Sequence, residues 1–241
     1  MVYFLQMNFR FILLDIDETV LSFNAAEKFA FDKTHTDNGV PYGKNDLLLY
    51  RKINEGLWKD FESGVITLDT VSEERFRIYL SERKIPVDYI KFRTEYENNL
   101  GLNATLIDDD VLPTLEFLKT KAKIYAVTNG IKHVQLKRLE KSGIARFLDG
   151  KFISAETGYS KPSKEYFEYV ESHIEGFVKD EALLVGDSMT ADIPAAKFGY
   201  RTCLVAPYDK DISGYPVQPE YRVEKFSQIK KFFTDEKSYV T

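Results

Sequence analysis

The chain has 241 residues, 44% hydrophobic and 29% charged, with 33 basic and 38 acidic side chains giving a net charge of -5. Those proportions describe a globular chain long enough to bury a real core, and they exclude the broad basic surface needed by a nucleic acid polymer while leaving room for a small anion. The single cysteine, Cys203, cannot close an intramolecular disulfide, which fits a reducing cytosol, and its apolar run Thr202–Ala206 marks it as a core thiol.

The apolar opening is broken by Gln6, Asn8 and Arg10, so it reads as neither a secretion signal nor a membrane span, and Met7 offers an alternative start. Phe11–Leu14 follows as a buried strand running straight into Asp15-Ile16-Asp17-Glu18-Thr19. Alternation along an extended chain puts Asp15 and Asp17 on one face, at the strand end where α/β sheets bind ligands. Such a cluster requires a metal or a cation as partner.

From about residue 24 to 105 the pattern is helical, at Phe29–Asp32, Asp46–Trp58, Leu68–Glu82 and Asp88–Leu100, with no convincing strand between. A helical block placed after the first strand predicts an inserted domain over 23–105, leaving 1–22 and 106–241 as the core. Joining the core beside Asp15, that insert is placed to act as a lid.

Beyond residue 105, helices and strands alternate. Helices are predicted at Asp110–Lys121, Ile131–Ser142, Ser163–His173, Thr190–Phe198 and Phe226–Phe233, and strands at Lys123–Val127, Lys151–Ser154, Ala182–Val185 and Arg201–Ala206. The alternation implies an α/β fold, a doubly wound, Rossmann-like parallel sheet carrying a helical cap.

Three more motifs fall at strand ends. Thr128-Asn129-Gly130 supplies a hydroxyl, an amide and a turn suited to phosphate oxygens, although the same tripeptide is an ordinary turn. Ser160-Lys161-Pro162 places a lysine in a short rigid context that favours a fixed cation. Gly186-Asp187 ends another strand with Asp192 five residues on; Asp187 is either a helix N-cap or, with Asp15 and Asp17, part of a shared metal site, and the second reading is favoured. His35, His133 and His173 are scattered and lack metal-ligand spacing.

Asp15-Ile16-Asp17-Glu18-Thr19, Thr128, Lys161 and Gly186-Asp187 with Asp192 resemble, in order, the four motifs of the haloacid dehalogenase-like hydrolases. Leu57–Thr67, Glu74-Arg75-Phe76, and Thr128-Asn129-Gly130 followed by Gln135–Glu140 are similar to the bacterial house-cleaning pyrimidine 5'-nucleotidases of that superfamily. The resemblance implies that Asp15 is a nucleophile forming an aspartyl phosphate, and that Asp17 is the general acid and base. It implies phosphate contacts from Thr128, Asn129 and Lys161, with Thr19 shaping the loop or supporting Asp17 and Glu18 a bystander. Hard oxygen ligands select Mg²⁺, assigned to the Asp15 and Asp187 carboxylates and the Asp17 backbone carbonyl, with Asp192 orienting the shell.

The implied substrate is a small phosphorylated metabolite, a (deoxy)pyrimidine nucleoside monophosphate. Trp58 and Arg75 in the cap, near Phe61 and Phe76, are candidates to contact the base, although aromatics at helical spacing are more often core. Phe23 and Asn24, where the chain enters the cap, are candidates to meet the leaving group. Sugar-phosphate and phosphoglycolate phosphatases share the motifs, whereas dehalogenation has no leaving oxygen to protonate and no use for Asp17. A phospho-receiver places its acceptor on the third strand and lacks the insert, and a non-catalytic binding module has no need of the whole acid set with Lys161. The sequence leaves the oligomeric state open.

Overall fold

A computed structural model describes residues 9–234, so the first eight residues, Met7 among them, lie outside the described part. Six strands, β1 Phe11–Leu14, β2 Lys123–Thr128, β3 Gly150–Ile153, β4 Ala182–Gly186, β5 Arg201–Val205 and β6 Tyr221–Val223, form one sheet ordered β3-β2-β1-β4-β5-β6. Every neighbouring pair is parallel. A parallel sheet is covered on both faces, which is why its central strands read as unbroken apolar runs. All four residues of β1 are buried, and Phe11 and Leu13 pack with Tyr125, Val127, Phe167 and Leu184 on one face. Each such side chain contributes roughly 2 kcal/mol by leaving water.

Among the described residues eight α-helices accompany the strands: α1 Phe23–Asp37, α2 Lys44–Glu62, α3 Leu68–Glu82, α4 Tyr89–Leu100, α5 Val111–Lys119, α6 Lys132–Lys141, α7 Ser154–Thr157 and α8 Lys164–Ser172. Side chains start several of them. Ser22, Thr67, Asp88 and Ser163 each accept a main-chain N–H from the first turn of α1, α3, α4 and α8. Among the described residues no helix is long and apolar enough to cross a membrane.

Three local expectations change. The predicted Phe29–Asp32 helix is the middle of the 15-residue α1, whose buried side includes Glu27, Thr34 and His35 and so hides its apolar period. Ile193–Phe198 and Phe226–Phe232 close as 3₁₀ rather than α-helix. The three-residue edge strand β6 is too short to announce itself by alternation.

The chain divides into two compact units. Among the described residues, an α/β unit takes 9–21, 106–129 and 143–234; a helical unit takes Ser22–Thr105 and Gly130–Ser142. The second unit therefore includes α6, which the sequence reading assigns to the core. The reason is packing: Val134 of α6 joins Phe76, Tyr96 and Leu100 in one apolar cluster. Buried Arg138, also on α6, donates to the main-chain oxygens of Asn103 and Ser22 at 3.2 and 3.4 Å.

Candidate active site

The α/β unit gathers the acids at the carboxyl ends of its strands. Asp15 continues β1 by one rung, its N–H donating to Val185 O at 2.9 Å, which holds it beside the end of β4. The chain then turns sharply. Glu18 takes a left-handed φ of 56°, its N–H donates to Leu21 O at 2.7 Å, and the N–H groups of Val20 and Leu21 both reach Ile16 O. Such a backbone in a residue other than glycine costs about 1 kcal/mol or more and persists where the surroundings enforce it. Glu18 thus closes the turn directly after Asp17, and its charge is also felt at Asp187.

Lys161 is the centre of the cluster. Its Nζ donates to Asp15 Oδ1 and Asp192 Oδ1, both at 2.6 Å, with the lysine side chain only 2% exposed. Thr19 Oγ1 donates to the other Asp15 oxygen at 3.1 Å, so this hydroxyl supports Asp15, where the sequence reading gave it the loop or Asp17. Asp192 is also fully engaged: Ser188 N–H donates to its Oδ2 at 3.1 Å. A Cβ at Gly186 would lie 2.2 Å from that same oxygen, so only glycine fits between β4 and Asp192.

Asp15, Asp187 and Asp192 each place a carboxylate oxygen within 4.8 Å of the others. At that spacing each like-charge pair repels by roughly 3 kcal/mol for an effective dielectric near 20. Lys161 offsets one of the three charges and leaves two. Burial pushes the Asp15 carboxyl well above its ordinary range, against the pull of Lys161. Burial, and next the Asp192 charge, pushes Asp187 up to about 7. An all-oxygen set with two surplus negative charges suits a hard divalent cation such as Mg²⁺. Asp15 and Asp192 each accept from Lys161 and from a second donor, Thr19 and Ser188 respectively, so hydrogen bonding alone does not separate these two as metal ligands.

Thr128 ends β2, buried, next to β1. Asn129, expected at the phosphate, has its amide bonded to the Lys161 main chain at two points, each 2.8 Å. Two features escaped the sequence reading, the Thr19–Asp15 bond and Lys210, whose charge lowers the Asp187 pKa from the loop after β5. The Thr19 bond had a readable sign, a hydroxyl four residues after Asp15 in a tight acidic turn; Lys210 had none.

The expected specificity residues all belong to the helical unit. Arg75 is 1% exposed there, donating to Glu97 at 3.3 Å and to Asn54 at 3.5 Å and lying over the rings of Phe76 and Tyr96. These contacts make Arg75 part of that unit's packing. Trp58 is half-buried and meets Phe61 edge-on at 5.5 Å. Phe23 is half-buried with the Arg138 guanidinium 6.0 Å from its ring, and Asn24 is exposed.

A family model described as haloacid dehalogenase-like hydrolase matches residues 9–198. The HAD-hydrolase YfnB of Bacillus subtilis is 36% identical over 222 residues, covering 92% of this chain and 94% of its own. Its magnesium-bound crystal structure, described as revealing interdomain movement, aligns with a TM-score of 0.87 at 35% identity over 94% of this chain and 99% of the other. The pyrimidine 5'-nucleotidase PynA of Streptococcus pneumoniae is 30% identical over 92% of this chain and 94% of its own length. The pyrimidine 5'-nucleotidase YjjG of Escherichia coli is 27% identical over 85% and 89%.

Proposed function

The chain belongs to the haloacid dehalogenase-like hydrolases, and from that premise we propose that it is a phosphomonoester hydrolase acting on pyrimidine nucleoside 5'-monophosphates. One observation carries the reaction class: Lys161 Nζ lies 2.6 Å from both Asp15 and Asp192 in a buried site that keeps surplus negative charge. In such a site Lys161 opposes the burial that favours a protonated Asp15, and a divalent cation would add to that opposition while a phosphoryl group is received.

In this reading a carboxylate oxygen of Asp15 bonds to phosphorus as the bond to the 5'-oxygen breaks. Asp17, separated from Asp15 by the buried Ile16, gives its proton to that departing oxygen. It then takes a proton from the water that opens the aspartyl phosphate, returning both carboxylates to their starting states. Lys161 balances charge on Asp15 and on the phosphoryl oxygens, and the Thr128 hydroxyl with the N–H groups after Asp15 hold the same oxygens in place. Thr19 keeps the Asp15 carboxylate oriented. The Asp15 and Asp187 carboxylates and the Asp17 main-chain carbonyl would hold Mg²⁺, which would supply the positive charge that lets a carboxylate approach a phosphate dianion. The magnesium bound by the similar YfnB structure supports that choice of ion.

Asp17 favours phosphate ester hydrolysis over dehalogenation, which has no alcohol to protonate. The choice of pyrimidine nucleotides is supported by PynA and YjjG, each matched over most of both chains. The test is phosphate release from a panel of nucleoside monophosphates and sugar phosphates, with Mg²⁺ and with a chelator. Pyrimidine nucleotides are expected to be turned over fastest and only with the cation. Activity confined to sugar phosphates would reject the nucleotidase reading, and activity indifferent to chelator would reject the metal-dependent one.

A further inference from the structure

We propose that Asn129 is a positioning residue for Lys161, gripping the lysine's main chain on both sides and making no substrate contact through its own amide. Asn129 Nδ2 donates to Lys161 O at 2.8 Å, and Lys161 N–H donates to Asn129 Oδ1 at 2.8 Å. A carboxamide offers the same donor and acceptor pair as a peptide group, so the two form a closed two-point pairing like one rung of a ladder. The pairing joins the loop that ends β2 to a segment 32 residues later.

The grip acts on the lysine itself, between the Tyr159 main chain bonded to Thr157 and the Ser163 cap of α8. Pro162 has no N–H to give, and the neighbouring main-chain bond, Ser163 N–H to Ser160 O at 2.8 Å, spans the lysine without touching it. Four rotatable bonds separate the Lys161 backbone from Nζ, yet Nζ must land at 2.6 Å from two separate carboxylates. Fixing the backbone at both polar atoms removes the largest source of wander. Asn129 also follows Thr128 directly, so one loop sets both the phosphate hydroxyl and the lysine, in fixed relation to each other. With one N–H and the carbonyl oxygen both spent on Lys161, the amide is ill-suited to be the phosphate ligand that its place after Thr128 suggests.

The kinetic arm of the test rests on the phosphatase reading, and the labelling arm does not. Displacing a reacting group by about 1 Å costs on the order of 100-fold, so Asn129→Ala is expected to lower kcat by about 10- to 100-fold while KM stays within about threefold. In a Lys161→Met background the same substitution should remove nothing further. A raised KM at unchanged kcat, or a loss that adds to that of Lys161→Met, would mean a direct substrate contact or a general loop effect and would overturn the proposal.

Amine acylation followed by mass spectrometry reads Lys161 without any turnover. Lys161 should resist the reagent in the wild type and react at least about 10-fold faster in Asn129→Ala, as expected when a buried group opens locally. Unchanged labelling would refute the grip even in a protein that hydrolyses nothing, whereas a wild type inactive on every phosphate ester would refute the proposed function alone. Asn129→Asp guards against misfolding of the alanine variant: it keeps the acceptor for Lys161 N–H and loses the donor to Lys161 O, so its labelling should be intermediate. Wild-type labelling and kcat in Asn129→Asp would show that the donor half does nothing and would overturn the two-sided grip.

Discussion

Both units bury an ion pair, and they do so in opposite styles. In the α/β unit Lys161 meets two carboxylates at 2.6 Å, every partner is further bonded, and negative charge is left over. In the helical unit Arg75 meets Glu97 at 3.3 Å and Asn54 at 3.5 Å, and Arg75 Nε has no hydrogen-bond partner. The helical arrangement is loose and supported from the side by the rings of Phe76 and Tyr96, so it is a packing solution for a long cation. The first is over-determined and unbalanced in charge, as expected of a site built to receive something. Tightness with surplus charge separates the proposed chemistry from structural burial more reliably than burial alone.

The comparison breaks most readily at the nucleophile. Asp15→Asn should abolish turnover, a loss of at least about a thousandfold, while the fold persists, since the amide still accepts from Lys161. Near-normal phosphate release from that variant would remove Asp15 from the mechanism. Lys161→Met should follow, lowering kcat by about 100-fold or more and destabilising the protein by roughly 3 kcal/mol, because it strands two buried carboxylates. Raising Mg²⁺ should recover part of the lost melting temperature, and a variant as stable as wild type in chelator would show that the acids need no cation. Gly186→Ala probes the same tightness through space: the new Cβ must displace the Asp192 carboxylate, so activity should fall by about 10-fold or more with folding retained.

The helical pair supplies the contrast. Arg75→Met should cost about 1 to 3 kcal/mol in urea unfolding while changing kcat less than about threefold, because it removes a loosely bonded cation and leaves the buried Glu97 with His133 at 3.9 Å. A large fall in kcat at unchanged stability would return Arg75 to the substrate and erase the distinction between the two burials.

How much of this was legible follows from where the signal lies. The strand-end acids, Lys161 and Gly186 were readable because buried parallel strands are short apolar runs, and any charge or glycine at their ends stands out against them. The limits of α3 were readable as well, since Thr67 caps it and its apolar residues repeat regularly. The length of α1 was hidden because it buries Glu27, Thr34 and His35, each with a polar partner inside the unit: Arg51, Asn99 and Tyr79. The division of the chain was hidden at α6 for a related reason: its sequence suits any covering helix, and the packing of Val134 decides which unit takes it. For Asn129 and Arg75 the residue type was readable and its partner was not, since the sequence shows a donor without showing which acceptor spends it.

The smallest effect tests the two burials by the sign of their pH dependence. Burial lowers the pKa of His35, whose Nδ1–H donates to Phe31 O and whose Nε2 accepts from Tyr79 O–H, both at 2.8 Å. The unfolded chain binds that proton more tightly than the folded one, so this contribution to stability is complete above the ordinary histidine value near 6.5 and is lost as pH falls. Asp187 runs the other way. Its folded value near 7 lies above the unfolded carboxylate value near 4, so metal-free protein binds the proton more tightly when folded and loses stability as pH rises between the two. Urea midpoints of metal-free protein from pH 8 to 5 should therefore fall more steeply on acidification in Asp187→Asn, where the opposing effect of this carboxylate is gone, and less steeply in His35→Phe. Parallel curves for the two variants would show that the helical unit's neutral buried polar groups and the α/β unit's crowded acids respond alike to protons. The contrast in charge would then be one of geometry alone.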